Sequence, residues 1–293
     1  MRSSNGRGGK RDVPARAVAR GFAWSVLGVT ACGCGNTKDT MALPRAEKEV
    51  SIVECPVADA SDGVVALYAF EGDEGGTQVL DSVGGHDATV LLGVVTSADG
   101  PEGCGAAFAF GGEGRYFVIE HSPDWELEVG SFDLWVRLPA SSNDHVGILS
   151  RDVNERAEPG HVSLFVDVEG RAVVRVQPMD DSSDDFNDAV ACSETPLPRE
   201  RWVHLGVNFG PPQIELYVGG ELNDWEGTSA ISDEWRCGQR EPWGIAGNEL
   251  PWVVGRSAFR SEEPLETLEF PALDAAVDQL RISSVRRDFE HLF

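Results

Sequence analysis

Short apolar runs recur along most of the chain, and glycine, proline, aspartate or asparagine separates each run from the next. The runs are rich in β-branched and aromatic residues and are too short to show a helical period. At least eleven of them follow residue 64: VVALYAF, AAFAF, YFVIE, SFDLWVRL, VGILSR, HVSLFVDV, RAVVRVQ, WVHLGVNF, QIELYVG, PWVVGR and VDQLRIS. This pattern predicts an all-β fold, an antiparallel sandwich, in one domain over residues 61–293.

Two connections between runs indicate β-hairpins. Glu169-Gly170 separates LFVDV from RAVVRV, and glycine can take the positive φ that a tight turn requires. Gly210-Pro211-Pro212 separates WVHLGVNF from QIELYV, and the prolines, which lack an N–H donor, keep the tip from pairing further.

The first 31 residues differ from the rest. A basic head that runs to Arg20 precedes the apolar run GFAWSVLGVTA, which is too short to cross a bilayer and ends at Cys32. This order is typical of a secretory signal, and VTAC resembles the bacterial lipobox, whose cysteine is lipidated. We therefore expect a signal peptide over residues 1–31, a lipid anchor at Cys32 and a polar, flexible tether over residues 32–60. The alternatives are an uncleaved anchor and a wrongly assigned start residue.

Export to the bacterial cell envelope, at the outer membrane or surface, would permit disulfides. Four cysteines remain beyond Cys32 and its neighbour Cys34: Cys55, Cys104, Cys192 and Cys237. Their wide spacing, without a CxxC pair, argues against a zinc site. Of three pairings we favour Cys55 with Cys104 and Cys192 with Cys237, because each joins a loop to a neighbouring segment.

The formal net charge of −25 limits the partners. Such a surface repels nucleic acid and anionic lipids, whereas it suits divalent cations and neutral ligands. We expect no nucleic acid partner and contact with a membrane only through the lipid anchor. The chain shows no motif for an organic cofactor.

The ordered set of segments resembles a family. VVALYAFEGDEGG, GCGAAFAFGG, YFVIEHSPDWELEVGSFDLWVRL, RERWVHLGVNFGPPQIELYVGGEL, PWVVGRSAF and VDQLRISSVRR follow the running order of LamG-like, concanavalin A-like lectin/glucanase domains of bacterial surface proteins. The resemblance covers nearly all of residues 64–290. It implies a jelly roll of two curved antiparallel sheets, often with a structural calcium and a glycan- or protein-binding role.

The resemblance also implies where calcium would bind. Asp278 matches the family's aspartate in the closing VDQLRIS motif, and Glu71 and Asp73 of FEGDEGG would supply the partners. Calcium takes six to eight oxygen ligands. The alternative is a solvated turn beside a strand-end residue. The acidic segment 179–189 is typical of a solvated loop, with a second cation site or a ligand rim as the alternative. Its aspartates are Asp180, Asp181, Asp184, Asp185 and Asp188.

The same fold hosts glycosidases, which need two carboxylates about 5 Å apart in the retaining class. Laminarinase-like members place them at alternating positions of one strand. In QIELYV the same-face neighbours of Glu215 are Gln213 and Tyr217, so no second carboxylate is near. We therefore expect a non-catalytic module that binds a glycan or an envelope or extracellular protein. A glycoside hydrolase or lyase with dispersed carboxylates and a purely structural surface protein are the alternatives.

Aromatic residues on loops are candidates for sugar binding, because a flat ring stacks on a pyranose. Trp225, Trp235 and Trp243 lie in one long segment; the alternative is that they cap the end of the sandwich. Core positions are predicted for Trp252, Phe132 and Trp135. Structural pairings are predicted for His204 and Arg281.

Overall fold

The computed structural model describes residues 62–71, 75–93, 97–101, 105–110, 115–141, 145–152, 160–177, 188–223, 225–228, 236–256 and 275–290. In these residues two antiparallel sheets of eight strands each form a sandwich, and the fold class is therefore confirmed as all-β. No helix in the described ranges is long and apolar enough to cross a membrane. A 3₁₀ turn spans Pro123–Trp125.

The first sheet holds the two chain ends of the described region side by side. Its strands are β1 (Val64–Tyr68), β4 (Ser97–Asp99), β5 (Ala106–Ala109), β7 (Gly130–Arg137), β12 (Trp202–Phe209), β13 (Glu215–Val218), β14 (Glu221–Asn223) and β18 (Ala276–Ser283). The strand order is β14-β13-β12-β7-β18-β5-β4, and β1 also pairs with β18.

The second sheet packs against the first. Its strands are β2 (Gln78–Val79), β3 (Ala88–Leu91), β6 (Tyr116–Ile119), β8 (Val146–Arg151), β9 (Val162–Val166), β10 (Ala172–Val176), β11 (Ala189–Cys192) and β17 (Trp252–Val254), in the order β11-β10-β9-β8-β17-β6-β3-β2. A small ribbon pairs β15 (Gly227–Thr228) with β16 (Arg236–Cys237).

Every predicted run forms a strand, and both predicted hairpins are present. Gly170 takes a φ of 86° at the turn between β9 and β10, and β12 pairs with β13 across the Gly210-Pro211-Pro212 turn. Alternation along these strands sends one set of side chains into a common core.

The core between the sheets is aliphatic and aromatic. Phe132 and Trp252 are buried in it with ring centroids 5.9 Å apart, which confirms both predictions. The core prediction for Trp135 is wrong. Phe132, Leu134 and Val136 point inward, so alternation turns Trp135 to the outer face of the first sheet, where its ring lies 5.4 Å from that of His204.

A cluster of ion pairs lies on the outer face of the first sheet. Asp133 accepts hydrogen bonds from Arg281 Nε at 2.8 Å and Arg281 Nη2 at 3.0 Å, and His204 Nε2 lies 3.1 Å from the same carboxylate. The predictions of structural pairings for His204 and Arg281 are confirmed.

Glu215 takes part in a second structural network on this face. Its Oε2 accepts from Tyr217 Oη at 3.0 Å and from Asn208 Nδ2 at 3.2 Å, and it lies 2.7 Å from Arg286 Nη2. Among the described residues, its contacts are therefore those of an ordinary outward side chain that ties the chain after β18 to the sheet.

Candidate functional site

A band of polar side chains crosses the outer face of the second sheet. The band consists of Asp152, His161, Ser163, Arg175, Gln177 and Asp188. Alternation produces it: Val162 and Leu164 of β9 point inward, so His161 and Ser163 point outward. Register then places Arg175 of β10 opposite Ser163 on one side and opposite Val190 of β11 on the other. We call this set the polar band.

Arg175 is the centre of the polar band. It donates from Nε to Asp188 Oδ2 at 2.8 Å, from Nη1 to Asp152 Oδ2 at 3.1 Å and from Nη2 to Gln177 Oε1 at 2.9 Å. Ser163 Oγ donates to Asp152 Oδ2 at 2.6 Å. All six side chains are buried, and a charged group in such a place must be paired to be tolerated.

The electrostatics of the band hold Asp152 ionised. Burial acts to raise the pKa of Asp152, but the Arg175 charge and hydrogen bonds from His161 and Ser163 outweigh it and leave the pKa below its ordinary value. Asp152 is therefore an acceptor and an orienting anion for its neighbours, not a proton donor near neutral pH.

His161 differs from the rest of the band. Its Nδ1 lies 3.0 Å from Asp152 Oδ1, and its side chain is 1% exposed. Its Nε2 is buried and has no hydrogen-bond partner among the described residues. Buried polar atoms are normally satisfied by protein, water or ligand, so this nitrogen marks a place where another group is expected.

An apolar cluster lies beside the polar band on the same face. It consists of Phe165, Val173, Val190, Cys192 and Cys237, with Trp225 half-buried against it. Cys192 and Cys237 form a disulfide with Cα atoms 5.4 Å apart, which confirms that predicted pair. Cys55 and Cys104, as well as Cys32, lie outside the described residues.

The predicted tryptophans do not share one environment. Arg171 Cζ lies 4.4 Å from the Trp225 ring centroid, so one ring face is covered by a guanidinium that is itself bonded to Asp167. Trp243 packs against the main core, and its carbonyl accepts from Gly210 N at 2.8 Å. Trp235 lies outside the described residues.

The predicted calcium residues come partly together. Asp278 is 1% exposed at a bulge of β18, and its Oδ1 accepts from Gln279 N at 2.8 Å. Burial, with a smaller contribution from the charge of Glu71, raises the pKa of Asp278 to about 7. Glu71 Oε1 accepts from Ala106 N at 3.1 Å, and Asp73 lies outside the described residues.

The negative charges of Glu71 and Asp278 suit a cation, because the two carboxylates repel each other and no described residue neutralises Asp278. They supply only part of the six to eight oxygens that calcium takes. No group of three or more acidic, histidine or cysteine ligands occurs in the described ranges. Calcium therefore stays a hypothesis for this position.

The polar band was not predicted from the sequence, apart from Asp188 as one member of the acidic segment. A signal was present: HVSLF and RVQ alternate polar and apolar residues, which places His161, Ser163, Arg175 and Gln177 on one face. That the two strands are neighbours, and that these side chains meet, follows only from the sheet.

No protein-family model matches the chain, and no curated protein matches its sequence. Solved structures resemble it in fold. Domain 4 of AbnA, a GH43 extracellular arabinanase from Geobacillus stearothermophilus, in complex with arabinotriose, is 16% identical with a TM-score of 0.55 over 78% of this chain and 98% of that one. Trypanosoma rangeli sialidase in complex with the inhibitor DANA is 12% identical with a TM-score of 0.51 over 81% of this chain. The match spans 33% of the sialidase. At these identities the likeness establishes the β-sandwich fold.

Proposed function

We propose that the chain is a non-catalytic glycan-binding module of the LamG-like kind, and that the polar band is its binding surface. The observation that carries the proposal is the buried Nε2 of His161, which has no partner in the described ranges, beside side chains that already hold one another in place. Sugars are recognised by such groups, because each hydroxyl needs both a donor and an acceptor.

The charge of the band favours a neutral sugar. Arg175 is bonded to both Asp152 and Asp188, so one negative charge is in excess when His161 is neutral. An anionic ligand would meet this charge as well as the net charge of −25. The neutral His161 ring that donates its Nδ1 proton to Asp152 has an acceptor at Nε2. A neutral glycan offers hydroxyl donors both to the aspartates and to this nitrogen.

Burial determines how the ligand would enter. The members of the band are at most 7% exposed, so binding requires displacement of whatever covers them. We therefore expect association slower than the roughly 10⁵–10⁷ M⁻¹s⁻¹ of preformed protein surfaces. The fold supports the proposal only by analogy, through the arabinotriose complex of the arabinanase domain.

The proposal also assigns the first 60 residues a role in localisation. Residues 1–31 would direct export, and lipidated Cys32 would hold the domain at the bacterial envelope through residues 32–60. Calcium at Glu71 and Asp278, completed by Asp73, would tie the exit of β1 to β18 and stabilise the fold. No step of glycan recognition depends on that cation.

A second candidate function rests on one observation. Asp152 and Asp188 both bond the guanidinium of Arg175, so the face carries two neighbouring carboxylates from different strands, which a glycosidase would require. The lowered pKa of Asp152 and the pairing of both groups to one arginine support the binding role instead, because a general acid must carry a proton.

The test uses the purified chain on a broad array of neutral and acidic glycans, with calcium and again with chelator. We expect a neutral glycan to bind, and Gln177→Ala to weaken binding by about tenfold or more, which is about 1.4 kcal/mol. Gln78→Ala, which removes the same amide from an exposed position on β2, is the matched control.

Three outcomes would contradict the proposal. Glycan binding that survives both Gln177→Ala and His161→Phe would remove the band from the site. Release of reducing ends that Asp188→Asn abolishes would establish the enzyme. No binding to any glycan, with capture of one fixed envelope protein, would replace the sugar by a protein partner.

A further inference from the structure

A cleft of about 530 Å³ opens at the opposite side of the sandwich from the polar band. It lies where β5 and β7 end and β18 begins. Among the described residues it is lined by Ala109, Arg137, Leu138, Pro139, Ala140, Glu200, Ala275 and Ala276. We call it the Arg137 cleft. Its volume falls within the range of small-molecule sites, roughly 300–1,000 Å³.

The floor of the cleft is made of small side chains. Ala276 pairs with Ala109 on one side and with Arg137 on the other, so the three residues stand in one row across the sheet. Two methyl groups beside a long side chain leave a depression on a sheet surface. A flat, ring-shaped ligand could therefore approach the strands closely there.

Arg137 is the polar group that distinguishes the cleft. It is half-buried, and its Cζ lies 5.1 Å from the ring centroid of Trp202, its neighbour on β12. Stacking fixes the plane of the guanidinium and leaves its N–H edge free. Within the described ranges Arg137 has no ion pair and no hydrogen bond from its side chain.

The chain has 49 acidic residues against 24 basic ones, so carboxylates are available to pair with its arginines. Arg151, Arg175 and Arg281 are buried, and each bonds a carboxylate. Arg137 offers the same planar fork to the cleft. The group that matches it in shape and charge is a carboxylate, bound through two parallel N–H donors.

Glu200 adds a requirement to the ligand. It stands on the cleft wall with an exposed side chain and a φ of 57°, a left-handed conformation that costs about 1 kcal/mol for a residue with a Cβ. Its N–H bonds Leu138 O at 2.9 Å, which holds it beside β7. Its carboxylate would repel a plain organic acid but would accept hydrogen bonds from hydroxyl groups.

We propose that the Arg137 cleft is a second binding site and takes a carboxylate-bearing sugar, a hexuronate unit. Its carboxylate binds the fork of Arg137, its hydroxyls donate to Glu200, and its ring lies over Ala109 and Ala276. The site is separate from the polar band, so it stands or falls independently of the function proposed above.

The experiment titrates the purified chain with three probes by calorimetry and saturation-transfer NMR. Methyl glucuronide carries both features, methyl glucoside lacks the carboxylate, and acetate lacks the hydroxyls. We expect methyl glucuronide to bind at least about tenfold more tightly than either of the others. Glucoside binding that equals glucuronide binding and is weakened equally by Arg137→Gln, or no binding of the glucuronide, would overturn the proposal.

Variants locate the site. Arg137→Lys keeps the charge but loses the fork, and we expect it to weaken glucuronide binding by about tenfold, as Arg137→Gln does. Arg201→Gln removes an exposed cation next to Glu200 and outside the cleft lining; it is the matched control and should bind as the wild type.

Two further variants separate this site from the proposed function. Glu200→Gln keeps an acceptor and removes a like charge, so it should bind glucuronide at least as tightly as the wild type. Gln177→Ala in the polar band should leave glucuronide binding unchanged. Loss of glucuronide binding in Gln177→Ala, with Arg137→Gln unaffected, would move the acidic sugar to the polar band and refute this site.

Discussion

Asp152 follows directly after β8 and faces His161, which directly precedes β9, with 3.0 Å between Oδ1 and Nδ1; both side chains are buried. Asp152 also binds Arg175, so one carboxylate holds both a ring and a guanidinium in place. The polar band is therefore organised from Asp152 outward. Its side chains do not need to be ordered by a ligand, which reduces the entropic cost of binding.

Asp152→Asn should destabilise the fold. The substitution leaves Arg175 buried and still bonded to Asp188, and removing one partner of a buried ion pair costs about 3 kcal/mol or more. Urea unfolding followed by circular dichroism measures the change. Asp124→Asn, which removes the 64% exposed partner of His86, is the control and should cost less than about 1 kcal/mol. Equal losses in the two variants would show that the band is not electrostatically coupled.

The Cys192–Cys237 disulfide should contribute much of the stability of the apolar cluster on the outer face of the second sheet. It closes a separation of 45 residues, for which chain entropy gives a stabilisation of about 4 kcal/mol. We expect Cys192→Ala with Cys237→Ala to lower the free energy of unfolding by about 2–4 kcal/mol. Reduction of the wild type should lower it similarly. A wild type that unfolds at the same urea concentration with and without reductant would contradict this expectation.

The sequence predicted the strands well because their signal is local. Alternation and turn residues are read within a few positions, as in the Glu169-Gly170 hairpin. Trp135 was assigned to the wrong face because an aromatic residue in an apolar run suits either face of a strand. Its face follows only from alternation with Phe132 and Leu134, which point into the core. Of three possible pairings, the one containing Cys192–Cys237 was favoured because each bond joins a loop to a neighbouring segment, and this bond is present.

The candidate sites were harder to predict, because they join residues far apart in the chain. Asp152 and Asp188 meet at Arg175 only through the register of three strands. The Arg137 cleft depends on which alanines lie beside one another on β5 and β18. Glu71 and Asp278 were found because the family resemblance aligned them, since nothing local to either residue indicates the other.

Asp278 should make stability depend on pH in the absence of calcium. Its pKa is about 7 in the folded chain against an ordinary value of 3.8, so the folded state holds the proton more tightly. The resulting stabilisation is complete below pH about 4 and is lost as pH rises through about 7. In the presence of chelator, we expect the free energy of unfolding of Asp278→Asn to rise relative to that of the wild type. The rise is roughly 2–4 kcal/mol as pH increases from about 4 to about 7. Urea unfolding at a series of pH values measures it, with exposed Asp62→Asn as the control. A difference in the free energy of unfolding between Asp278→Asn and Asp62→Asn that does not change with pH would contradict the expectation.

Calcium should reverse that penalty if it binds at Glu71 and Asp278. A cation that binds only the folded chain stabilises it by about 2.7 kcal/mol at one hundred times its dissociation constant. We expect calcium to raise the melting temperature of the wild type at pH 8 but not that of Asp278→Asn. Magnesium at the same concentration controls for ionic strength. Equal stabilisation of both proteins would place any calcium elsewhere.

Gly206 tests how the chain after β18 closes the first sheet. It lies on the outer face of β12 between His204 and Asn208, and the ring of Phe289 covers it. A Cβ at position 206 would lie 2.8 Å from that ring, which is too close for either group to stay in place. Gly206→Ala should therefore cost about 1–3 kcal/mol through overpacking.

In a Phe289→Ala background the same change should cost little, because the obstructing ring is gone. The double-mutant cycle measured by urea unfolding gives the coupling directly. Additive costs would mean that Phe289 is not held against Gly206 in solution, and that the outer face of the first sheet is open.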